Sequence, residues 1–158
     1  MTKIKKLVFI SILTALSASL TLFQFRLGRG YVHFGDSIIY ITALLLGPLP
    51  AAFAGGVGHA MADYISGYPV YILPTLVIKS LTGFTFGLIA GDGRSFVRLS
   101  AAFMVALVII TGGYFLAEIV IGNTAEALLS LIASPIQWLM SIAAVTAFLP
   151  VFRKIIKF

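Results

Sequence analysis

Cysteine is absent from the 158 residues. Disulfide frameworks and thiolate metal centres are therefore excluded. Charge is almost as scarce. Asp, Glu, Lys and Arg together make up 10% of the chain, against about 25% in a soluble domain. The acidic share is smaller still, at five Asp and Glu against eleven Lys and Arg, for a formal net charge of +6. No phosphate-binding Walker loop occurs, so ATP is not bound in the usual way. Neither His-Glu-x-x-His nor Gly-x-Ser-x-Gly is present, which removes two common membrane-enzyme chemistries. No internal repeat is visible, so the chain does not read as a carrier with two matching halves.

Apolar residues are what is abundant, at 60% of the chain. Mean hydropathy is +1.10. A chain this apolar has no water-facing side to offer and is not a soluble core protein. It has room for about six spans of roughly 20 residues with short links. The expected fold is one all-α membrane domain over residues 1–158, a bundle of six transmembrane helices. The basic residues sit at the ends of apolar runs rather than on one surface, so nucleic acid is not an expected partner. Lys3, Lys5 and Lys6 precede a first helix over residues 5–25, read as retained because no Ala-x-Ala cleavage pattern follows it. Six spans return Arg153, Lys154 and Lys157 to the same side, with Arg94 and Arg98 between spans four and five. Both termini are thus expected in the cytoplasm.

The pattern predicts further helices over 37–46, 51–64, 70–90, 99–120 and 125–149. Residues 26–36 form a loop with Arg26, Arg29, Tyr31, His33, Phe34 and Asp36, and three glycines that permit unusual backbone angles. It is too polar for lipid, and longer than a hairpin turn needs. Its glycine spacing does not match a dinucleotide-binding fingerprint. Gly47-Pro48-Leu49-Pro50 reads as a tight turn.

The chemistry-bearing residues stand out against this background. Lys79 lies near mid-depth in the fourth helix, where a charge is costly and normally faces inward to a partner or ligand. An ion pair with Glu118 or Asp63 is one reading and a ligand contact the other. His59 and Asp63 are four apart on one helical face, either as a structural pair or as a pocket lining. Two such ligands are too few for a metal site. Tyr114 and Glu118 share a face in the same way. Asn123 or Thr124 can cap the sixth helix. Gln137 offers a donor and an acceptor, and Trp138 either stacks on a flat ring or fills the core. Ser11, Ala15 and Ser19 lie four apart, a small-residue stripe that lets a helix approach closely, from within the bundle or from a separate subunit.

Taken together, the basic N-terminus, this stripe, Gly30-Tyr31-Val32-His33-Phe34-Gly35-Asp36, the run from Leu46-Gly47-Pro48 to Gly58, and the six-helix plan resemble the substrate-binding S components of energy-coupling factor (ECF) transporters. The family's first-helix signature is two alanines four apart. Here Ala15 pairs with Ser11 or Ser19. The resemblance implies a subunit of the cell membrane that captures a water-soluble vitamin from outside. It is not an enzyme and has no cofactor. Its partners are a transmembrane T component, docked through Ser11, Ala15 and Ser19, and two cytoplasmic ATPases. The loop after the first helix is implied to act as a lid. On this mapping the substrate-binding residues are Lys79, Tyr114, Glu118, Asn123, Gln137 and Trp138, with Tyr31 and His33 from the lid. No metal ligands are expected, because the metal-binding relatives use a histidine-led N-terminal extension that this chain lacks. Tyr114 and Trp138 around a small ring, with Lys79 and Glu118 at its polar groups, favour hydroxymethylpyrimidine or pyridoxine. Riboflavin, pantothenate and thiamine are the alternatives, and a small membrane enzyme the more distant one.

Overall fold

The Thr2 side chain accepts a hydrogen bond from the Lys5 backbone N–H at 3.3 Å and starts the first helix, α1 (Lys3–Leu22). The structure, a computed structural model, describes residues 2–27 and 30–155, with only the backbone described at Arg26, Leu27 and Gly30. Gly28, Arg29 and Lys157, which the sequence reading placed in the first loop and the basic tail, lie outside the described residues. After α1 the chain forms a two-stranded antiparallel hairpin, β1 (Phe25–Leu27) and β2 (Gly30–Val32), with Phe25 opposite Val32. Five helices follow: α2 (Gly35–Leu46), α3 (Pro48–Ile65), α4 (Ile72–Ala90, entered through a 3₁₀ turn at Pro69–Tyr71), α5 (Phe96–Ile121) and α6 (Thr124–Ile155).

The six predicted helices are all present, with shifted ends. Residues 47–50 are not a four-residue turn. Gly47 alone turns the chain, at φ +91°, and Pro48 opens α3. A proline in the first helical turn gives up an N–H that has no intrahelical acceptor anyway. Residues 35 and 36, assigned to the loop by sequence, form the first turn of α2. The loop itself is a hairpin rather than irregular chain. Asn123 is the cap of α6, its Oδ1 accepting from the Glu126 backbone N–H at 3.2 Å.

Four helical segments are long and apolar enough to cross a membrane: Lys3–Leu22, Pro69–Ala90, Phe96–Ile121 and Thr124–Ile155. Helix α2 is shorter, and every one of its twelve residues is buried. It is an interior helix wrapped by the others, so its hydrophobicity on all sides is satisfied by protein. The outer helices reverse the polarity of a soluble bundle. Leu73, Val77, Leu81 and Leu88 of α4 and Val108, Leu116 and Val120 of α5 are exposed. Apolar surface on this scale suits lipid rather than water.

The bundle has two distinct ends. At one end Tyr40, Phe86 and Phe103 form an aromatic core with ring centroids 4.6 to 5.1 Å apart. Trp138 packs on Phe103 at 6.5 Å and donates its indole N–H to the Phe103 carbonyl at 2.8 Å. There too Arg98 bonds the Ile89 carbonyl at the end of α4, at 2.8 Å, and Arg153 reaches the Asp92 carbonyl at 3.3 Å. At the other end sit the hairpin, the α3–α4 turn and the start of α6.

Glycines on α3 and α4 bring these helices to backbone contact. A Cβ on Gly87 would stand 2.6 Å from Pro48 Cα, and one on Gly55 would stand 2.9 Å from the Lys79 carbonyl. Gly112 on α5 faces open space. We therefore expect Gly87→Leu to force α3 and α4 apart and lower the melting temperature in detergent, at a cost of at least about 1–3 kcal/mol. Gly112→Ala should leave the melting temperature unchanged or raise it slightly. Equal melting of Gly87→Leu and the unmodified protein would contradict this packing.

Candidate functional site

Asp36 stands in the first turn of α2 and Lys79 in the middle of α4, and neither side chain is exposed. The Lys79 ammonium donates to both carboxylate oxygens, at 2.7 and 2.9 Å. Gln137 of α6 donates its amide to Asp36 Oδ2 at 2.8 Å. The Gln137 carbonyl oxygen accepts from the His33 backbone N–H at 3.3 Å. His59 Nε2 of α3 lies 3.0 Å from Asp36 Oδ1. Its Nδ1 lies 2.8 Å from the Gly55 carbonyl and 3.2 Å from the Ser17 hydroxyl of α1. One carboxylate thus ties together α2, α3, α4 and α6, with α1 attached through Ser17.

Sequence reasoning offered Glu118 or Asp63 as ion-pair partners for Lys79, and the structure uses Asp36. Glu118 instead accepts from the Tyr71 hydroxyl at 2.9 Å. The signal for Asp36 was present, since an acid and a base stranded in apolar sequence need each other. It was hidden by assigning residue 36 to the loop.

His33 closes the hairpin onto this network. Its Nδ1 accepts from the Gly35 backbone N–H at 3.2 Å, and its ring lies 5.3 Å from that of His59. Burial holds the His33 imidazole neutral, well below its ordinary pKa, and it outweighs the opposite pull of Asp36. His33, Asp36 and His59 bring three potential ligand atoms within 4.8 Å of one another. The Lys79 ammonium, held by both oxygens of Asp36, already supplies positive charge to this cluster.

Above the network opens a cavity of about 750 Å³. The hairpin end supplies Tyr31 and His33, α3 supplies His59 and Asp63, and the α3–α4 turn supplies Tyr68 and Tyr71. Thr75, Tyr114 and Glu118 come from α4 and α5, and Asn123, Glu126, Ser130, Ser134 and Gln137 from the far wall. Tyr31 stacks on Tyr68, with centroids 5.8 Å apart and planes at 22°, which fastens the hairpin across one side. Burial, followed by the nearby Asp63 charge, pushes the Tyr31 phenol well above its ordinary pKa. Among the described residues the lining carries Asp63, Glu118 and Glu126 but no lysine or arginine.

Of the residues singled out by sequence, Tyr31, His33, Tyr114, Glu118, Asn123 and Gln137 line this cavity together. Lys79 and Trp138 do not line it. Lys79 lies beneath, its ammonium 5.3 Å from the Tyr114 ring centroid. Trp138 packs in the aromatic core. Tyr68, Tyr71 and Thr75 were not singled out by residue. Their positions in turns and at helix ends carry no periodic signal. Ser11, Ala15 and Ser19 are all exposed on the outer face of α1, away from the buried Leu13, Ser17 and Ala18.

A family model described as "ECF-type riboflavin transporter, S component" matches residues 1–154. The chain belongs to this family. ECF S components are transport subunits, not enzymes. The S component of a bacterial ECF transporter, known from a solved structure, superposes with a TM-score of 0.78, covering 99% of this chain and all of that one. At 17% identity the likeness is one of fold. A Pyrococcus woesei protein described as "Uncharacterized protein in gap 3'region" is 41% identical over 86 residues. That match covers 54% of this S component and 57% of the relative, so the chain spans little more than half of that protein's length.

The buried pair generates a prediction. Asp36→Asn or Lys79→Met alone leaves one uncompensated buried charge, at a cost of about 3–5 kcal/mol. Each single variant should melt far below the unmodified S component in detergent. The charge-free double variant Asp36→Leu, Lys79→Met should recover a large part of the loss. Additive losses in the double variant would show that the two side chains do not act as a pair.

Proposed function

We propose that this chain captures riboflavin at the outer face of the cell membrane and hands it to an ECF transport complex. The observation that carries this is the cavity of about 750 Å³ between hairpin and helices, lined by four tyrosines and by carboxylate, amide and hydroxyl groups. Flat aromatic walls suit a fused ring system, and the polar wall of α5 and α6 suits a polyol chain. The family description supports riboflavin over the hydroxymethylpyrimidine or pyridoxine favoured by the ring-stacking pattern. That pattern relied on Trp138, which lies in the core rather than in the cavity. A second reading has one observation behind it. Three carboxylates without a described lysine or arginine would also suit a cationic ring such as that of thiamine.

The proposed membrane arrangement has six spans. Four are long enough alone, α2 crosses inside the shell made by the others, and α3 crosses with Leu49, Phe53 and Met61 on an exposed apolar face. Arg94, Arg98, Arg153 and Lys154 gather at the end opposite the hairpin, and α1 starts at that end with Lys3, Lys5 and Lys6. The positive-inside rule makes that end cytoplasmic and opens the cavity outward. The partners are a transmembrane T component and two ATPases. The exposed stripe Ser11, Ala15 and Ser19 is the proposed docking surface. The Ser11 and Ser19 hydroxyls bond the Leu7 and Ala15 carbonyls of their own helix, at 3.0 and 2.9 Å. They therefore present small volume without an unsatisfied donor.

Titration of riboflavin into the purified protein in detergent, read by flavin fluorescence quenching, tests the ligand. Saturable binding at one flavin per chain, without ATP, is the expected result. No quenching, together with thermal stabilisation by thiamine, hydroxymethylpyrimidine or pyridoxine, would replace riboflavin by that vitamin. For docking, Ala15→Trp should abolish co-purification with the T component while leaving vitamin binding intact. Undiminished assembly would remove α1 from the interface.

A further inference from the structure

Asp63, like Glu118, is a buried acidic residue that the network does not use. Its side chain is 5% exposed, lines the cavity, and keeps Oδ2 buried without a hydrogen-bond partner. A carboxylate oxygen left idle in this way is costly, so native structures rarely keep one without a reason. Helix capping is not that reason. At the end of α3 the Ser66 and Tyr68 backbone N–H groups are taken by the main-chain carbonyls of Ala62 and Asp63. Nor is ion pairing, since Lys79 is held by Asp36 on both oxygens.

Thr75, Tyr31 and Tyr114 share the cavity lining with Asp63, as does His59 one turn back on α3. Thr75 lies beside Asp63, and Thr75 is in turn bonded to the Tyr114 hydroxyl at 3.2 Å. The Tyr31 phenol is also near. One strong acceptor flanked by O–H donors is the complement of a ring N–H flanked by carbonyls. The oxidised flavin ring has one such edge, the imide, in which N3–H lies between the C2 and C4 carbonyls. Its other end is an apolar dimethylbenzene, and its side chain is a polyol. Elsewhere on the lining Glu118, Asn123, Glu126 and Ser130 offer the acceptors and donors that a polyol needs.

We propose that Asp63 accepts the imide N3–H of the flavin, so that the ring enters against α3 and the polyol lies along α5 and α6. This rests on the riboflavin reading. Asp63 is then the residue that distinguishes an imide-bearing ring from rings without an N–H on that edge. Tyr31, on the hairpin, reaches the same edge, so ring recognition and hairpin closure meet at one place.

The test pairs a change in the ligand with a change in the protein. The unmodified protein should bind N3-methylriboflavin about tenfold or more weaker than riboflavin, the loss of one hydrogen bond to a charged group. Asp63→Ala should weaken riboflavin by a similar factor, yet bind the two flavins within about threefold of each other. Such non-additivity identifies a direct contact. Equal binding of both flavins by the unmodified protein would overturn the proposal without any variant needing to fold. So would a methylation penalty that persists undiminished in Asp63→Ala. In either case riboflavin binding itself would stand. Failure of the unmodified protein to bind riboflavin at all would instead overturn the riboflavin reading, and this proposal with it.

Discussion

The ion pair between Asp36 and Lys79 is the constraint around which the bundle is arranged. Two opposite charges are held without solvent exposure in a chain that has few charges to spend. Removing them from water costs several kcal/mol per ion, and the cost is offset only where geometry and further hydrogen bonds are good. Here the geometry is bidentate, and Gln137 adds a third donor. Satisfying one carboxylate therefore fixes the relative positions of α2, α4 and α6. The glycines of α3 then allow that helix to come close enough for His59 to join.

This arrangement has a consequence for the cavity. Gln137 and His33 belong both to the buried network and to the cavity wall. The network is thus the floor on which a ligand would rest. The lysine charge is neutralised below that floor, while the carboxylates Asp63, Glu118 and Glu126 face the open space. The cavity's chemistry is therefore that of acceptors and aromatic faces. The hairpin is held over it by Tyr31 stacked on Tyr68, by the His33 backbone N–H on Gln137, by the buried Val32 and by Phe25 against Phe34. An S component must hold its ligand and later release it.

Much of the architecture was legible in the sequence because lipid simplifies the pattern. Long apolar runs broken by Gly, Pro and charged residues mark helices and links without any need for amphipathic periodicity. The errors came where local rules compete. Gly47-Pro48-Leu49-Pro50 read as a turn, yet Pro48 begins a helix, because a missing N–H costs nothing in a first turn. The polar run before residue 37 read as loop throughout, yet Gly35 and Asp36 are helical and strands precede them. Trp138 read either as a ring-stacking residue or as core, and periodicity on an all-apolar helix does not separate the two.

The sequence by itself determined the membrane class, the number and order of the helices, and the basic end. Each of these follows from composition or from short-range pattern. Tertiary structure decided which acid neutralises Lys79, which aromatic residues face a ligand and which fill the core, and that Asp63 is left with an unpartnered oxygen. Those outcomes depend on helix rotation and on which backbones can touch. Residues 43 apart in the chain meet at 2.7 Å because glycines elsewhere let the helices close up. No local pattern carries that information.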